Sequence, residues 1–431
     1  MNIYGYQSAR SLVSRFTLPL IASAMISLPL VESVSAAESI KLGLIHPTTG
    51  RYAEQGFQLA EGALLAIDEI NAKGGVLGRP LELLNENSGG DPKKAVRKVR
   101  KMAKEGASML FGGATSTVAI AAGKEARAND RVFFGVLTYA NETTGKEAQK
   151  YMFREPYNGW MTAKALSAYV NPLIEGKKVF YITADYGWGH STEASIRKFT
   201  HTEDVSVHDH ALVPFPKPER GDFEVALRKA ERSGAEVLMV IQYAQDMATT
   251  LNLATTMGIK DKMQLVVPNL SLGGAHLAGA AAMEGVVGAI PWYWQVPNHY
   301  GFERGKQFVD AFVARYDHYP SSPAASSYTA VYEYIDAVRR AGSVNSAAVI
   351  KALENHSFTL VKDQQTWRDF DHQNVQSVYI VKGRKWADVM ADKYRADYFE
   401  IIDSVPGDKV VRNRAEWNQA RREAGLDMAM E

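Results

Sequence analysis

The sequence predicts an α/β protein made of two doubly wound parallel-sheet lobes. Short strands alternate with amphipathic helices from residue 40 onward, and the alternation begins again after residue 156. Short connections between such elements are typical of a parallel sheet covered by helices. The chain has 431 residues, of which 46% are hydrophobic, which is enough for two cores. No low-complexity linker separates the two units, so we expect the chain to cross between lobes more than once and to form a hinge.

The first unit is predicted to run β-α-β-α-β and then to add another strand. In its first helix, apolar residues such as Leu59, Ala63 and Ile70 share one face. Gly74 and Gly75 end that helix, where a residue with positive φ is favoured. The expected strands are 40–45, 80–84, 108–111 and 132–136, and the expected helices are 55–72, 91–105 and 118–128.

The second unit repeats this alternation and then gives way to longer helices. Its expected strands are 178–183, 205–213, 236–241 and 264–267, and its expected helices include 159–170 and 223–233. Helices are then expected at 304–316 and 326–341. Strand-like segments follow residue 377, and a polar helix at 414–424 comes last.

The first 37 residues have the features of a cleaved signal peptide. Arg10 and Arg15 precede an apolar stretch at 16–31, and small residues offer cleavage after Ala36 or Ala37. The alternative is a membrane anchor, but two prolines interrupt the stretch. It is also shorter than the ~20 apolar residues that a membrane span needs.

Composition narrows the expected compartment and partners. The chain contains no cysteine, so it cannot carry the lipid of a lipoprotein or form a disulfide. We expect a protein that is free in the periplasm and monomeric. Basic residues (49) and acidic residues (48) are nearly balanced, which does not favour binding to nucleic acid or to an anionic membrane.

A set of motifs along the chain resembles one known family. They are IKLGLI at 40–45, TG at 49–50, GA at 62–63, DEIN at 68–71, GGVLG at 74–78, DPKKA at 91–95, GATS at 113–116, DYGWG at 185–189 and YTAVY at 328–332, with Arg368 and DHQ at 371–373 beyond them. Together they resemble the type I periplasmic solute-binding proteins of ABC transporters, and most closely the leucine/isoleucine/valine-binding group.

This resemblance implies an architecture and a function. Lobe 1 would comprise 38–156 plus about 290–376, and lobe 2 would comprise 157–289 plus about 377–431 with the C-terminal region. Three crossovers would form the hinge. The cleft would bind a small molecule (an amino acid, aromatic acid, amide or other planar or apolar solute) and deliver it to a membrane permease, without catalysis. A periplasmic sensor of the same fold is the alternative, and a hydrolase is a third hypothesis.

Thr115, Ser116 and Thr117 are the first candidate ligand-binding residues. They follow a predicted strand and begin a helix, where exposed N–H groups and hydroxyls suit a carboxylate. A helix cap made by Thr115 or Ser116 explains the same pattern, and the residues alone leave both interpretations open. The resemblance places Ser116 on the family's ligand-binding serine.

Further candidates follow the other predicted strands: Tyr52, Gln55, Thr138, Tyr139, Trp188, Gln242, Tyr243 and Asn269. By resemblance, Trp188 is an aromatic residue that covers the ligand. Its flanking glycines make burial within a regular element an unfavoured alternative. Tyr139 replaces a threonine of the leucine-binding type. Asn269 replaces an acid that holds an ammonium, which weakens the expectation of an α-amino acid.

Several other patterns are predicted to be structural. His208 and His210 would share a strand face, a weak metal-site pattern with no supporting motif. Asp371-His372-Gln373 lacks a nucleophile elbow. The glycines at 74–78 fit neither nucleotide-binding spacing. The aromatic residues at 291–294 favour hinge packing over the cleft. No cofactor, metal or catalytic residue is expected.

Overall fold

The first sheet is fully parallel, with the strand order β2-β1-β3-β4-β5. The computed structural model describes residues 38–430, so the predicted signal peptide lies outside the described residues. The strands are β1 Ile40–His46, β2 Leu81–Asn87, β3 Ala107–Gly113, β4 Val132–Leu137 and β5 Met152–Arg154. Between them lie α1 Ala53–Ala72, α2 Pro92–Lys104, α3 Ser116–Ala128 and a 3-10 helix at Asn141–Thr144.

Both faces of this sheet are covered, because its inner strands β1, β3 and β4 are apolar on both sides. Leu42 and Leu44 of β1 belong to a large core that includes the apolar face of α1. Ile45 of β1 and Leu110 of β3 point into a second core with residues of α2 and α3. Alternate residues of a strand face opposite sides of a sheet, so these strands need helices on both sides.

The second sheet is mostly parallel, with the strand order β15-β14-β10-β9-β8-β6-β7. Its antiparallel pairs are β10 with β14 and β14 with β15. The strands are β6 Val179–Ala184, β7 His210–Val213, β8 Val237–Ile241, β9 Gln264–Val267, β10 Val287–Ile290, β14 Val378–Gly383 and β15 Phe399–Val405. Its helices are α4 Gly159–Ile174, α5 Gly187–Thr200, α6 Arg220–Arg232, α7 Ala244–Thr256, α8 Leu272–Ala278 and α9 Ala280–Met283.

Residues between β10 and β14 return to the first sheet. The elements are α10 Val296–Tyr300, α11 Glu303–Tyr316, α12 Ser322–Ala341, α13 Ser346–Leu353 and a small antiparallel sheet of β11 Ser357–Phe358, β12 Gln365–Trp367 and β13 Asn374–Val375. Helix α12 packs closely on α1, because Gly62 leaves room: a Cβ there would lie 2.1 Å from the carbonyl oxygen of Ala324. The last helices are α14 Trp386–Ala391, α15 Gly407–Val410 and α16 Arg414–Glu423.

The chain therefore passes between the two sheets three times. The first crossover is 155–158, the second is 291–295 and the third is 376–377. The predicted fold class, two α/β lobes with parallel sheets, is confirmed. The exact division of the chain into lobes stays a prediction.

One predicted strand is shorter than expected. The alternation at 205–213 predicts a single strand, but only His210–Val213 pairs with β6. Asp204 explains the difference, because its carboxylate accepts bonds from the N–H and hydroxyl of Ser206 and holds a turn. Val205 and Val207 are consequently exposed.

Candidate functional site

The residues singled out in the sequence follow the carboxyl ends of strands in both sheets. Tyr52 and Gln55 follow β1, Thr115 to Thr117 follow β3, and Thr138 and Tyr139 follow β4. On the other side, Trp188 follows β6, Gln242 and Tyr243 follow β8, and Asn269 follows β9. Open parallel sheets bind ligands at this end of their strands.

Four aromatic rings link the two sides. The Tyr243 ring lies 6.1 Å from Tyr52, 5.7 Å from Tyr139 and 6.3 Å from Trp188, measured between ring centroids. Tyr52 and Tyr139 come from the first sheet, and Trp188 and Tyr243 come from the second. We call these rings, together with Gln55, Tyr157, Gln242 and Asn269, the cleft cluster. Burial raises the pKa of each of the three tyrosines in the ring set, so their phenols remain protonated.

Thr115 and Ser116 have different local roles. Thr115 caps α3, since its hydroxyl accepts a bond from the Val118 N–H at 3.3 Å. The Ser116 hydroxyl oxygen accepts bonds from the N–H groups of Tyr139 (3.2 Å) and Ala140 (3.0 Å). Ser116 therefore holds the loop that carries Tyr139, and its hydroxyl proton is left for another acceptor. The cap that the sequence left open belongs to Thr115.

The predicted position of Trp188 requires a correction. Its flanking glycines were expected to keep it out of a regular element, yet it is the second residue of α5 and only 2% exposed. The reason is close packing of the helix start on β6, because a Cβ at Gly189 would lie 1.9 Å from the carbonyl oxygen of Ala184. Trp188 still faces the space between the sheets, where it lines a cavity of about 330 Å³ together with Ser116 and Thr117.

Thr138 is buried below the cluster and does not join the rings. Its hydroxyl shares a hydrogen bond with Thr143 of the 3-10 helix at 2.8 Å. Thr138 therefore supports the loop after β4, as Ser116 does.

Asn269 and Tyr157 are joined at the second-sheet side of the cluster. The Tyr157 hydroxyl lies 2.9 Å from Asn269 Oδ1 and 3.2 Å from the carbonyl oxygen of Ala289. Its ring is 5.8 Å from Tyr139. Tyr157 was not identified from the sequence, although its position just after β5 follows the rule that identified the others.

Three amide side chains in the cluster keep polar atoms without hydrogen-bond partners. They are both amide atoms of Gln55, Nε2 of Gln242 and Nδ2 of Asn269, all buried. A buried polar group without a partner costs about 1–3 kcal/mol, so folded proteins rarely keep several together. These amide atoms are therefore candidates for hydrogen bonds to another polar molecule.

Charged groups at the rim also join the two sides. Arg51, before α1, pairs with Asp246 of α7 and donates to the carbonyl oxygen of Pro218 at 2.8 Å. Burial raises the pKa of Asp246 to about 6, with Arg51 acting in the opposite direction. Burial, with a smaller contribution from Glu61, raises the pKa of Glu54 to about 7. Glu54 lies against Gly273 of α8. None of these charges was identified from the sequence.

The other patterns in the sequence have structural partners. Nδ1 of His208 accepts a bond from the Val179 N–H at 3.1 Å, and His210 lies 2.9 Å from Glu193. His208 lies outside β7, so the two histidines do not share a strand face as the sequence suggested. Within residues 38–430, no group of three or more acidic or histidine side chains could hold a metal ion.

The segments at 371–373 and 291–294 are packed inside the protein. The His372 ring stacks on Phe153 at 3.8 Å. Trp292 donates to the carbonyl oxygen of Val361, and Trp294 stacks on Tyr319 at 3.7 Å. These aromatic residues therefore pack near the second crossover, as the sequence favoured. In the described part of the chain, we find no helix that combines the length and the apolar character of a membrane span.

Comparison with known proteins gives a consistent picture. A model of the periplasmic binding protein family matches residues 39–388. The Leu/Ile/Val-binding protein homolog 4 of Brucella melitensis is 23% identical over 384 residues, covering 86% of this chain and 90% of that protein.

Two solved structures share the fold. A periplasmic binding protein from Burkholderia mallei gives a TM-score of 0.77 at 24% identity, covering 88% of this chain and 97% of that one. A solute-binding protein of an ABC transporter from Rhodopseudomonas palustris, in complex with 3,4-dihydroxybenzoic acid, gives a TM-score of 0.73 at 18% identity and covers 88% and 99%.

Proposed function

Because the chain belongs to the periplasmic binding protein family, of the type that serves branched-chain amino acid transporters, we propose that it is the substrate-binding component of an ABC-type uptake system. It would bind one small organic solute between the two sheets and deliver it to a membrane permease. In this role the protein is exported by its signal peptide, works as a monomer in the periplasm and catalyses no reaction.

The observation that carries this proposal is the set of unpartnered amides in the cleft cluster. Gln55 comes from the first sheet, whereas Gln242 and Asn269 come from the second. A solute that bonds to all three would contact both lobes at once. Contacts that exist only when the lobes are together favour the closed state, which is the form a permease would recognise. The proposed lobes are 38–156 with about 290–376, and 157–289 with about 377–431.

The cluster also favours a class of solute. The cluster combines four aromatic rings with these amides, which suits a flat or apolar body with one polar end. Asn269 offers an amide and carries no negative charge to balance an ammonium. We therefore expect an aromatic acid, an amide or a similar planar solute to bind better than an aliphatic α-amino acid. The Rhodopseudomonas palustris complex with 3,4-dihydroxybenzoic acid fits this expectation.

Native mass spectrometry of the protein purified from a periplasmic extract tests the proposal. We expect one small molecule per chain, which denaturation releases for identification. Calorimetry on the stripped protein then measures its affinity. The Gln242→Leu variant removes an unpartnered amide at similar volume, and we expect at least about tenfold weaker binding, or about 1.4 kcal/mol.

Gln419→Leu is the matched control, because Gln419 bonds only to Glu423 on the surface of α16. Its affinity should equal that of the wild type. The proposal fails if no solute co-purifies and a thermal-shift panel of amino acids, aromatic acids and amides raises the melting temperature in no case.

A further inference from the structure

Lys362 is a buried lysine, and its contacts described below are with residues outside the cleft cluster. It lies on the loop between β11 and β12 and is 2% exposed. Its ammonium donates to the carbonyl oxygen of Pro291 at 2.9 Å and to Oε1 of Gln376. It also lies 5.7 Å from the centre of the Tyr379 ring. Burying a charged group is costly, so a lysine at such a position calls for an explanation.

The partners of Lys362 lie on different crossovers between the sheets. Pro291 begins the second crossover, and Gln376 begins the third. The Gln376 side chain continues the chain of bonds, because its Nε2 donates to the carbonyl oxygen of Glu155 in the first crossover. One ammonium group and one amide thus link all three passages of the chain.

A buried acidic residue, Glu155, interacts with this charge, although burial raises the pKa of its own carboxyl. Glu155 accepts hydrogen bonds from Ser326 and, at 3.5 Å, from Gln365. Burial lowers the pKa of Lys362, while the negative charge of Glu155 acts to raise it. Glu155 follows β5 of the first sheet, and its partner Ser326 lies on α12, which packs on α1. The link to Pro291 and Gln376 therefore reaches the segments that lead from and to the second sheet.

We propose that Lys362 is a positioning residue that fixes the three crossovers relative to one another. By doing so, it sets the separation between the two halves of the cleft cluster in the absence of solute. Without the ammonium, the carbonyl oxygen of Pro291 and the amide of Gln376 lose their shared partner. The second and third crossovers then move independently, and the lobes sample a wider range of separations. Any effect of this range on the affinity for a solute rests on the proposed function. The connection of the three crossovers through Lys362 does not.

The absence of cysteine makes a direct distance measurement simple. Lys93→Cys on α2 and Lys229→Cys on α6 place spin labels on exposed helices of opposite sheets. Pulsed electron resonance without added solute then reports the distribution of distances between lobes. In the Lys362→Met background we expect the distribution to broaden or its maximum to shift by about 5 Å or more, as in hinge motions.

Two comparisons separate positioning from general stability. Leu353 is fully buried at the end of α13 and lies outside the three crossover segments; Leu353→Ala opens a cavity there and should lower the melting temperature without changing the distance distribution. Gln376→Leu breaks the same chain of bonds and should reproduce the effect of Lys362→Met. The double variant should exceed neither single variant, because residues of one network do not act additively.

The proposal is overturned if folded Lys362→Met and Gln376→Leu both keep the wild-type distribution. It is also overturned if Leu353→Ala changes the distribution equally. If Lys362→Met does not fold, Gln376→Leu alone decides, since it leaves the lysine in place. The measurement uses no solute, so a failure to find a ligand would count against the proposed function and not against this link.

Discussion

The cleft cluster and the crossover network are both buried, but they differ in whether their polar atoms have hydrogen-bond partners within the chain. The crossover network comprises Arg154, Glu155, Lys362, Gln373 and Gln376. Arg154 is fully buried and donates to Gln373 at 2.6 Å, to Thr144 and to the carbonyl oxygen of Ala140. In the cleft cluster, Gln55 is 1% exposed and neither of its amide atoms has a partner.

This difference shows that depth alone does not identify a binding site. Charged groups in the crossover network have found their partners within the chain, so the network contributes to the structure itself. Amide atoms in the cleft cluster have no hydrogen-bond partner within the chain, which lowers the stability of the folded protein unless another molecule forms those hydrogen bonds. We use this contrast to distinguish the residues of the crossover network from the residues that we propose bind a solute.

The largest effect should come from Arg154→Met. Its removal takes a charged donor away from three buried oxygens, those of Ala140, Thr144 and Gln373, so we expect a loss of about 3 kcal/mol in the free energy of unfolding. Urea denaturation followed by circular dichroism measures it. Arg100→Met is the control, since Arg100 is exposed and pairs with Glu125, and it should leave the free energy of unfolding nearly unchanged. Equal losses of stability in Arg154→Met and Arg100→Met would show that the buried hydrogen bonds of Arg154 do not stabilise the fold more than a surface ion pair does.

Trp188→Ala should affect binding by a smaller free energy. The Trp188 ring packs against Tyr243, which also packs against Tyr52 and Tyr139 from the side of the first sheet. We therefore expect the affinity for the co-purified solute to fall at least about tenfold, or about 1.4 kcal/mol. Calorimetry measures the affinity, and circular dichroism checks that the variant is folded. Trp386→Ala, at an exposed tryptophan outside the cluster, should bind as the wild type does. An unchanged affinity in Trp188→Ala would remove Trp188 from the site.

The smallest effect should be the pH dependence that Glu54 confers at the rim of the cleft. Burial raises its pKa from 4.5 to about 7, so the folded state holds its proton more tightly than the unfolded state does. The resulting stability is present below pH 4.5 and is lost as the pH rises through 7. Between pH 5 and pH 8.5, the wild type should therefore lose about 1 kcal/mol more than Glu54→Gln, a figure discounted for partial exposure.

Thermal unfolding of both proteins across this pH range measures the difference. Glu105→Gln, at an exposed position at the end of α2, should follow the wild type at every pH. Parallel pH profiles for Glu54→Gln and the wild type would show that burial does not raise the pKa of the Glu54 carboxyl. Glu54 would then not count among the polar groups of the cleft that lower stability.

The sequence predicted the positions of the candidate residues better than their roles. Strand ends are visible in the sequence because apolar runs stop at polar or small residues, and this placed Tyr139, Tyr243 and Asn269 correctly after their strands. Whether a hydroxyl binds a solute or holds a loop depends on atoms distant in the chain. Ser116, for example, accepts bonds from the N–H groups at 139 and 140. Trp188 was expected outside regular structure, and the close approach of α5 to β6 was not visible from the glycines alone.

The sequence by itself determined the α/β class and the edge of each sheet where polar and aromatic residues gather, because both follow from local periodicity and from where strands end. Only the tertiary structure decided which of these groups lack partners, that Arg51 meets Asp246, and that Lys362 joins three crossovers. Those facts depend on contacts between residues more than a hundred positions apart in several cases. Local sequence patterns do not encode such distances, whereas packing of the two sheets sets them directly.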